Sequence, residues 1–129
     1  MSNTKIKTFA QQTLGCGCPE EVFDSIDCQR DIELSPQIVL TNKINIGNRL
    51  LVYILQTDDS NFIKNNLPAI VQLGIKERDS KGLNRVRFVI VADKPEEIQP
   101  VAENTFKDLA SKDEKIHLHV LNKKDFVQF

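Results

Sequence analysis

The sequence predicts an α/β fold in a single compact domain that spans residues 1–129. Two segments, Leu50–Leu55 and Val86–Val91, are nearly continuous apolar runs, as in strands that are covered on both faces. Amphipathic helical patterns follow each of them. A third segment, Lys115–Leu121, alternates apolar and other side chains, which indicates an edge or half-exposed strand. Strand, helix, strand, helix and strand in this order connect as right-handed parallel crossovers.

Two helices and a strand or hairpin are predicted to precede this parallel unit. Apolar residues at helical spacing predict a first helix over residues 4–14, which the Gly15–Cys18 turn ends. A second helix is predicted over residues 19–27. Residues 32–47 have the pattern of strand and turn, with Thr41–Lys43 as the candidate turn. No linker, internal repeat or low-complexity tract indicates a second domain.

Prolines interrupt both helices of the parallel unit. The first is predicted over residues 60–80, and Pro68 should kink it or start it anew, because proline lacks the backbone N–H. The second carries an apolar stripe over residues 98–109. Pro95 and Pro100 predict a short first turn before this helix settles.

Composition excludes several classes of function. The formal net charge is −1 and no basic cluster exceeds two residues, so we expect no nucleic-acid partner. The longest apolar run, Leu50–Leu55, is too short to cross a membrane, and the amino terminus lacks a signal-peptide core. We therefore expect a cytoplasmic protein without a membrane partner. The odd number of cysteines, 3, agrees with a compartment in which free thiols persist.

The segment Cys16–Pro19 places two thiols one residue apart, where a helix is expected to begin. Pro19 suits the first helical position, and Glu20 and Glu21 complement the positive end of the helix dipole. Cys18 would then face unpaired backbone N–H groups that favour a thiolate over a thiol. The pattern indicates a thiol or metal site. The structural alternative is a pair of small residues at a tight helix entry.

The two histidines of the chain, His117 and His119, lie two residues apart on one strand, so both should point from the same face. We predict that Cys16, Cys18, His117 and His119 are metal ligands, because thiolate and neutral imidazole together suit a transition metal such as zinc or iron. The Cys16/Cys18 pair alone would also suit an iron–sulfur species. The alternative for the histidines is the polar face of an edge strand. Cys28 is expected at the end of the second helix, too far along its axis to join the same metal.

Two further hypotheses about function stay open. In a thiol-redox enzyme or sensor, Cys18 would be the reactive thiol and Cys16 would resolve, although the chain has no Cys-x-x-Cys motif. In an interaction or regulatory domain no residue would do chemistry. A homo-oligomer would then form through the edge strand that carries the histidines or through the C-terminal tail, residues 123–129.

Three acidic residues follow the first two parallel strands, at the edge where open sheets collect ligands. We interpret Asp58, Asp59 and Ser60 as helix-capping residues and Asp93 as the cap that precedes Pro95, because no glycine-rich phosphate loop follows either strand. Arg85 and Arg87 are expected to snorkel or to form ion pairs at the start of a strand.

Three segments, Leu14–Phe23, Gly47–Tyr53 and Asp113–Val120, together resemble a group of small, uncharacterised prokaryotic α/β proteins. The resemblance spans most of the chain. It implies no activity, cofactor or catalytic residue.

Overall fold

The computed structural model describes residues 3–15 and 17–126, with only the backbone of Asn3, and contains a five-stranded mixed sheet. The strands lie in chain order: β1 (Ile26–Ser35), β2 (Ile38–Ile46), β3 (Leu50–Gln56), β4 (Arg85–Ala92) and β5 (Ile116–Asn122). The pairs β1–β2 and β2–β3 are antiparallel, whereas β3–β4 and β4–β5 are parallel. Helices α2 (Ser60–Ser80) and α3 (Pro95–Ala110) make the two crossovers. The predicted parallel unit is confirmed.

The amino-terminal segment confirms the first predicted helix but not the second. Helix α1 (Asn3–Thr8) continues into a π-helical turn, Phe9–Thr13. Within the predicted second helix only Glu20–Asp24 is helical, as a short 3-10 helix, and β1 begins two residues later. Ile26 pairs with Ile46 of β2, so a long ladder of backbone hydrogen bonds outweighs the weak local helical preference.

The hairpin turn also differs from the prediction. It lies at residues 36–37, and Thr41–Lys43 is an interior part of β2. The even-numbered residues from Ile38 to Ile46 are all buried, including Asn42, so the period of two runs through the expected turn without a break. Pro36 suits the actual turn because it has no N–H to donate to a ladder.

The sheet separates two apolar cores. On one face, alternate residues of β3 and β4 pack against α2 and α3. On the other face, the intervening residues pack against α1, the π-helical turn and the 3-10 helix. Six of the seven residues of β3 are therefore buried, as the continuous apolar run predicts. Strand β5 is half-buried along most of its length, which confirms the predicted edge strand.

The prolines do not divide the helices. Helix α2 runs through Pro68, and α3 begins at Pro95 and includes Pro100, so the short separate turn predicted before α3 is absent from this described region. At the carboxyl end Phe126 packs edge-on against Phe9 at a ring distance of 5.9 Å, whereas residues 127–129 lie outside the described residues. Within the described residues, no helix combines the length and apolar character that a membrane span requires.

Candidate functional site

A cavity of about 340 Å³ lies where the amino-terminal segment meets the starts of β3 and β4. Cys18 lines it from the amino-terminal segment, Arg49 lines it from the turn before β3, and Arg85 and Arg87 line it from β4. Its other lining residues are Gly17, Pro19, Leu50 and Asn84. The cavity thus brings one cysteine of the predicted pair to three arginines, one from the turn before β3 and two from β4.

The backbone of the sheet holds Arg49 and Arg85 side by side. The carbonyl oxygen of Arg49 accepts hydrogen bonds from the N–H groups of Asn84 (2.8 Å) and Arg85 (3.1 Å). In the parallel register Leu50 pairs with Arg85. Arg87 follows two residues later, so its side chain points from the same face of the sheet as that of Arg85.

The turn between β2 and β3 holds the amino-terminal segment next to these arginines. Gly47 has a φ of +61°, and its N–H donates to the carbonyl oxygen of Ser25 at 2.6 Å. A Cβ at this position would lie 2.5 Å from the carbonyl oxygen of Val22. The close approach requires glycine, and it fixes the 3-10 helix, which follows Cys18, against the turn that precedes Arg49.

Strand β5 brings both histidines to the arginines. His117 pairs in register with Arg87, and the side chains of His117 and His119 share one face of the strand, as predicted. Arg85 Nη1 lies 3.1 Å from His117 Nε2, and Arg87 Nη1 lies 3.0 Å from His119 Nε2. Because a guanidinium has no acceptor, each Nε2 must accept the hydrogen bond and each neutral ring carries its proton on Nδ1.

The environment keeps the imidazoles neutral. Burial, followed by the charge of Arg87 and the proximity of His117, lowers the pKa of His119 to about 4. Burial and the charges of Arg87 and Arg85 lower the pKa of His117 as well. The imidazoles therefore orient two guanidinium groups at neutral pH without adding or cancelling charge.

The arginines of the cavity carry uncompensated positive charge. Within the described residues no carboxylate forms an ion pair with Arg49, Arg85 or Arg87. Burial and the neighbouring charge of Arg85 lower the pKa of the Arg87 guanidinium, whose buried Nε has no hydrogen-bond partner among the described residues. Arginine remains protonated under such shifts, so the cavity has a strongly cationic wall.

The cysteines occupy distinct environments. Cys18 is half-buried and is disulfide-bonded in the structure, whereas Cys16 lies outside the described residues. Cys28 is a free thiol on β1 and not at a helix end, which corrects the prediction. Its Sγ accepts a 3.8 Å hydrogen bond from Asn42, and burial raises the pKa of the Cys28 thiol. Cys28 is not among the residues that line the cavity.

Contrary to the prediction, Cys18 does not lie at the start of a helix with a strong dipole. Pro19 is the N-cap residue and not the first helical residue, and the helix that follows has only 5 residues of 3-10 structure. Such a short segment has little dipole to act on a thiol. The positive charge near Cys18 comes from the sheet instead.

The predicted metal site stays a prediction. In the part of the chain that the structure describes, no group of three or more His, Cys, Asp or Glu side chains could hold a metal ion. Cys16, one of the four predicted ligands, lies outside that part. His117 and His119 share a face of the sheet with Arg85 and Arg87, and both Nε2 lone pairs accept hydrogen bonds from these two arginines.

The acidic residues that follow β3 and β4, at the ends of these strands opposite the cavity, have structural roles. Asp59 caps α2 by accepting hydrogen bonds from the N–H groups of Asn61 and Phe62, as predicted. Asp58 accepts from the N–H groups of Asp93 and Lys94 and thereby joins the loops that follow β3 and β4. The prediction that Asp93 caps α3 was wrong, because Lys94 occupies the N-cap position.

The arginines were not predicted as site residues. A signal for two of them was present: Arg85 and Arg87 are spaced by two at the start of one parallel strand, and His117 and His119 are spaced by two on the next. Parallel neighbours in register bring such pairs together. The contribution of Arg49 depends on the tight turn and had no such signal. No protein-family model, curated protein or solved structure matches this chain.

Proposed function

We propose that this domain is a thiol–disulfide redox protein in which Cys18 is the attacking thiol and Cys16 resolves. One observation supports the proposal: Cys18 borders a cavity that is lined by three arginines. Among the described residues, no carboxylate lines this cavity. A thiolate is the nucleophile in disulfide exchange, and nearby guanidinium charge favours the thiolate over the thiol. Partial exposure gives a substrate access to the sulfur.

The reaction consists of two exchange steps. The Cys18 thiolate attacks one sulfur of a substrate disulfide, forms a mixed disulfide and releases the other substrate sulfur as a thiolate. The Cys16 thiolate then attacks the Cys18 sulfur, which forms the Cys16–Cys18 disulfide and releases the second substrate thiolate. Two electrons pass from the protein dithiol to the substrate, and both released thiolates take up protons from solvent. Cys18 is disulfide-bonded in the structure, which supports a role for its sulfur in thiol–disulfide exchange.

A metal centre that uses both histidines is less well supported by the geometry. A metal that binds either Nε2 would have to displace the guanidinium that donates to it, and the adjacent positive charges would repel a cation. Metal or iron–sulfur binding by the Cys16/Cys18 pair remains a prediction. A cytoplasmic location also remains a prediction, and there the reduced dithiol would predominate before each reaction.

The test compares single-cysteine variants. A Cys16→Ser/Cys28→Ser variant retains Cys18 alone, and a Cys16→Ser/Cys18→Ser variant retains Cys28 alone as the matched control. We expect Cys18 to be alkylated by iodoacetamide with a midpoint below the ordinary thiol value of about 8.5. Cys28 should react with a higher midpoint, since burial raises the pKa of its thiol. Equal or slower alkylation of Cys18 at pH 7 would overturn the proposal.

A second measurement tests whether the wild-type pair cycles. Protein equilibrated with a series of glutathione redox buffers and then alkylated should gain two carbamidomethyl groups per reduced Cys16/Cys18 pair, as mass spectrometry counts them. Elemental analysis of the reduced protein, purified without added metal, separates this function from the metal-binding one. Stoichiometric metal that is lost in the Cys16→Ser/Cys18→Ser variant would favour the metal module and count against redox cycling.

A further inference from the structure

The three arginines provide more positive charge than activation of one thiol requires. Arg49, in the turn before β3, and Arg85, at the start of β4, are exposed, and Arg87 is half-buried. Like charges held together raise the free energy of the empty site, and an anion bound among them removes that cost. Guanidinium groups match carboxylate and other oxyanion groups because their planar N–H forks can donate two parallel hydrogen bonds.

The partners of the arginines keep this charge available. Arg78, outside the cavity, differs from these arginines because it donates to both carboxylate oxygens of Asp113, at 3.1 and 2.7 Å. That carboxylate orients Arg78 and also neutralises it. Arg85 and Arg87 are oriented by neutral imidazoles, so their positive charge remains available to a ligand.

The dimensions and the lining of the cavity restrict the ligand. A volume of about 340 Å³ is at the small end of the range for sites of small molecules. Its lining, within the described part of the chain, includes no aromatic side chain on which a nucleobase could stack. The apolar surface of Leu50 and Pro19 suits a short aliphatic segment beside the charged end.

We infer that the cavity binds a small anionic disulfide, and that Arg49, Arg85 and Arg87 hold the carboxylate of this disulfide beside Cys18. The inference rests on the proposed function and names the substrate class of the same site. The arginines bind the carboxylate of the substrate, while its disulfide reaches the Cys18 sulfur. His117 and His119 are positioning residues, since they act through the arginines.

The kinetic test uses three small disulfides that differ in charge: dithiodiglycolate, which is anionic, 2-hydroxyethyl disulfide, which is neutral, and cystamine, which is cationic. Reduced wild-type protein should react with the anionic disulfide about tenfold or more faster than with the neutral one, and slowest with the cationic one. Arg85→Met and Arg49→Met should each reduce the anionic-to-neutral rate ratio about three- to tenfold. The matched control is Arg30→Met, which removes an exposed arginine of β1 and should leave the ratio unchanged.

Variants at Arg87 and His119 test orientation separately from folding. Arg87→Lys keeps the charge but loses the planar fork, so the rate ratio should fall while the melting temperature changes little. His119→Gln provides an oxygen acceptor near the position of Nε2 and should retain most of the ratio. His119→Leu provides none and should lower it. Equal ratios in these two variants would overturn the positioning role.

A binding measurement separates failure of this inference from failure of the proposed function. A cysteine-free variant, with Ser at positions 16, 18 and 28, cannot exchange but should bind dithiodiglycolate saturably in an NMR titration, with shifts in the arginine side-chain signals. Binding without exchange in the wild-type protein would refute the redox function and leave the anion site standing. Exchange without a preference for the anion would refute the inference alone. Tighter binding of inorganic phosphate than of dithiodiglycolate would also overturn it, because the site would then select a free oxyanion.

Discussion

The neutral state of His119 predicts a measurable loss of stability in weak acid. Burial and the charge of Arg87 lower the pKa of His119 to about 4, whereas an unfolded histidine titrates near 6.5. Above pH 7 both states are neutral and the histidine contributes no pH dependence. As the pH falls through 6.5 toward 4, the unfolded chain binds the proton first, so the free energy of unfolding decreases.

The magnitude follows from the shift. A difference of roughly 2.5 pKa units corresponds to at most about 3.4 kcal/mol at 1.36 kcal/mol per unit. His119 is only half-buried, so solvent screens part of this, and we expect about 1–2 kcal/mol between pH 7.5 and pH 4.5. The stability that is lost on protonation of His119 includes that of the hydrogen bond from Arg87, because an imidazolium cannot accept it.

Urea unfolding of the wild type and of His119→Gln at each pH isolates this effect. The variant retains every carboxylate whose titration also lowers stability in acid, so the difference between the two curves reports the histidine. We expect the difference to change by about 1–2 kcal/mol over this pH range, with the wild type losing more. An NMR titration that placed the pKa of His119 at or above 6.5, or parallel stability curves, would refute the reasoning and remove the neutral acceptor on which the geometry of Arg87 depends.

Two substitutions test the framework of the site by urea unfolding. Gly47→Ala should lower the free energy of unfolding by about 2 kcal/mol or more, since the φ of Gly47 is positive and a Cβ would lie 2.5 Å from a backbone oxygen. Gly82→Ala is the control, because its φ is also positive but the space around it is open, and it should cost only about 1 kcal/mol. Similar losses in both variants would contradict the close approach at Gly47. Asp113→Asn should cost about 1–3 kcal/mol because it leaves the buried cation of Arg78 with one exposed partner, and Asp79→Asn, at that exposed partner, should cost less than about 1 kcal/mol. A smaller loss for Asp113→Asn than for Asp79→Asn would show that the buried pair does not stabilise the fold.

The parallel half of the fold could be predicted because its signals are strong and local. Buried parallel strands need continuous apolar runs, and Leu50–Leu55 and Val86–Val91 have them. The amino-terminal half depended on pairing between distant residues. Ile26 has a partner, Ile46, that is 20 residues away, and no local pattern reveals that this pairing extends β1 into the predicted helix.

The sequence pointed to residues in this region as metal ligands, a role that stays a prediction. The sequence identified Cys18 and the histidine pair, because cysteine and histidine are the usual residues of thiol and metal chemistry. It did not identify the arginines, since an arginine at the start of a strand usually has a solvated or structural role. Their contribution became evident only from the register of β4 with β5 and from the hydrogen bonds that join Arg85 and Arg87 to His117 and His119.

The cavity lies at the amino ends of the parallel strands β3 and β4, where the amino-terminal segment packs against them. Parallel sheets commonly bind ligands beyond the carboxyl ends of their strands. Here Asp58 accepts two backbone hydrogen bonds across that edge, between the loops that follow β3 and β4. At the amino ends of β3 and β4 the Arg49 and Arg85 side chains reach solvent, and the segment that carries Cys18 approaches them. The chain thus brings a cysteine from its amino-terminal segment to cationic side chains of β4 and of the turn before β3, and the proposed reactivity and charge selection both depend on this one cavity.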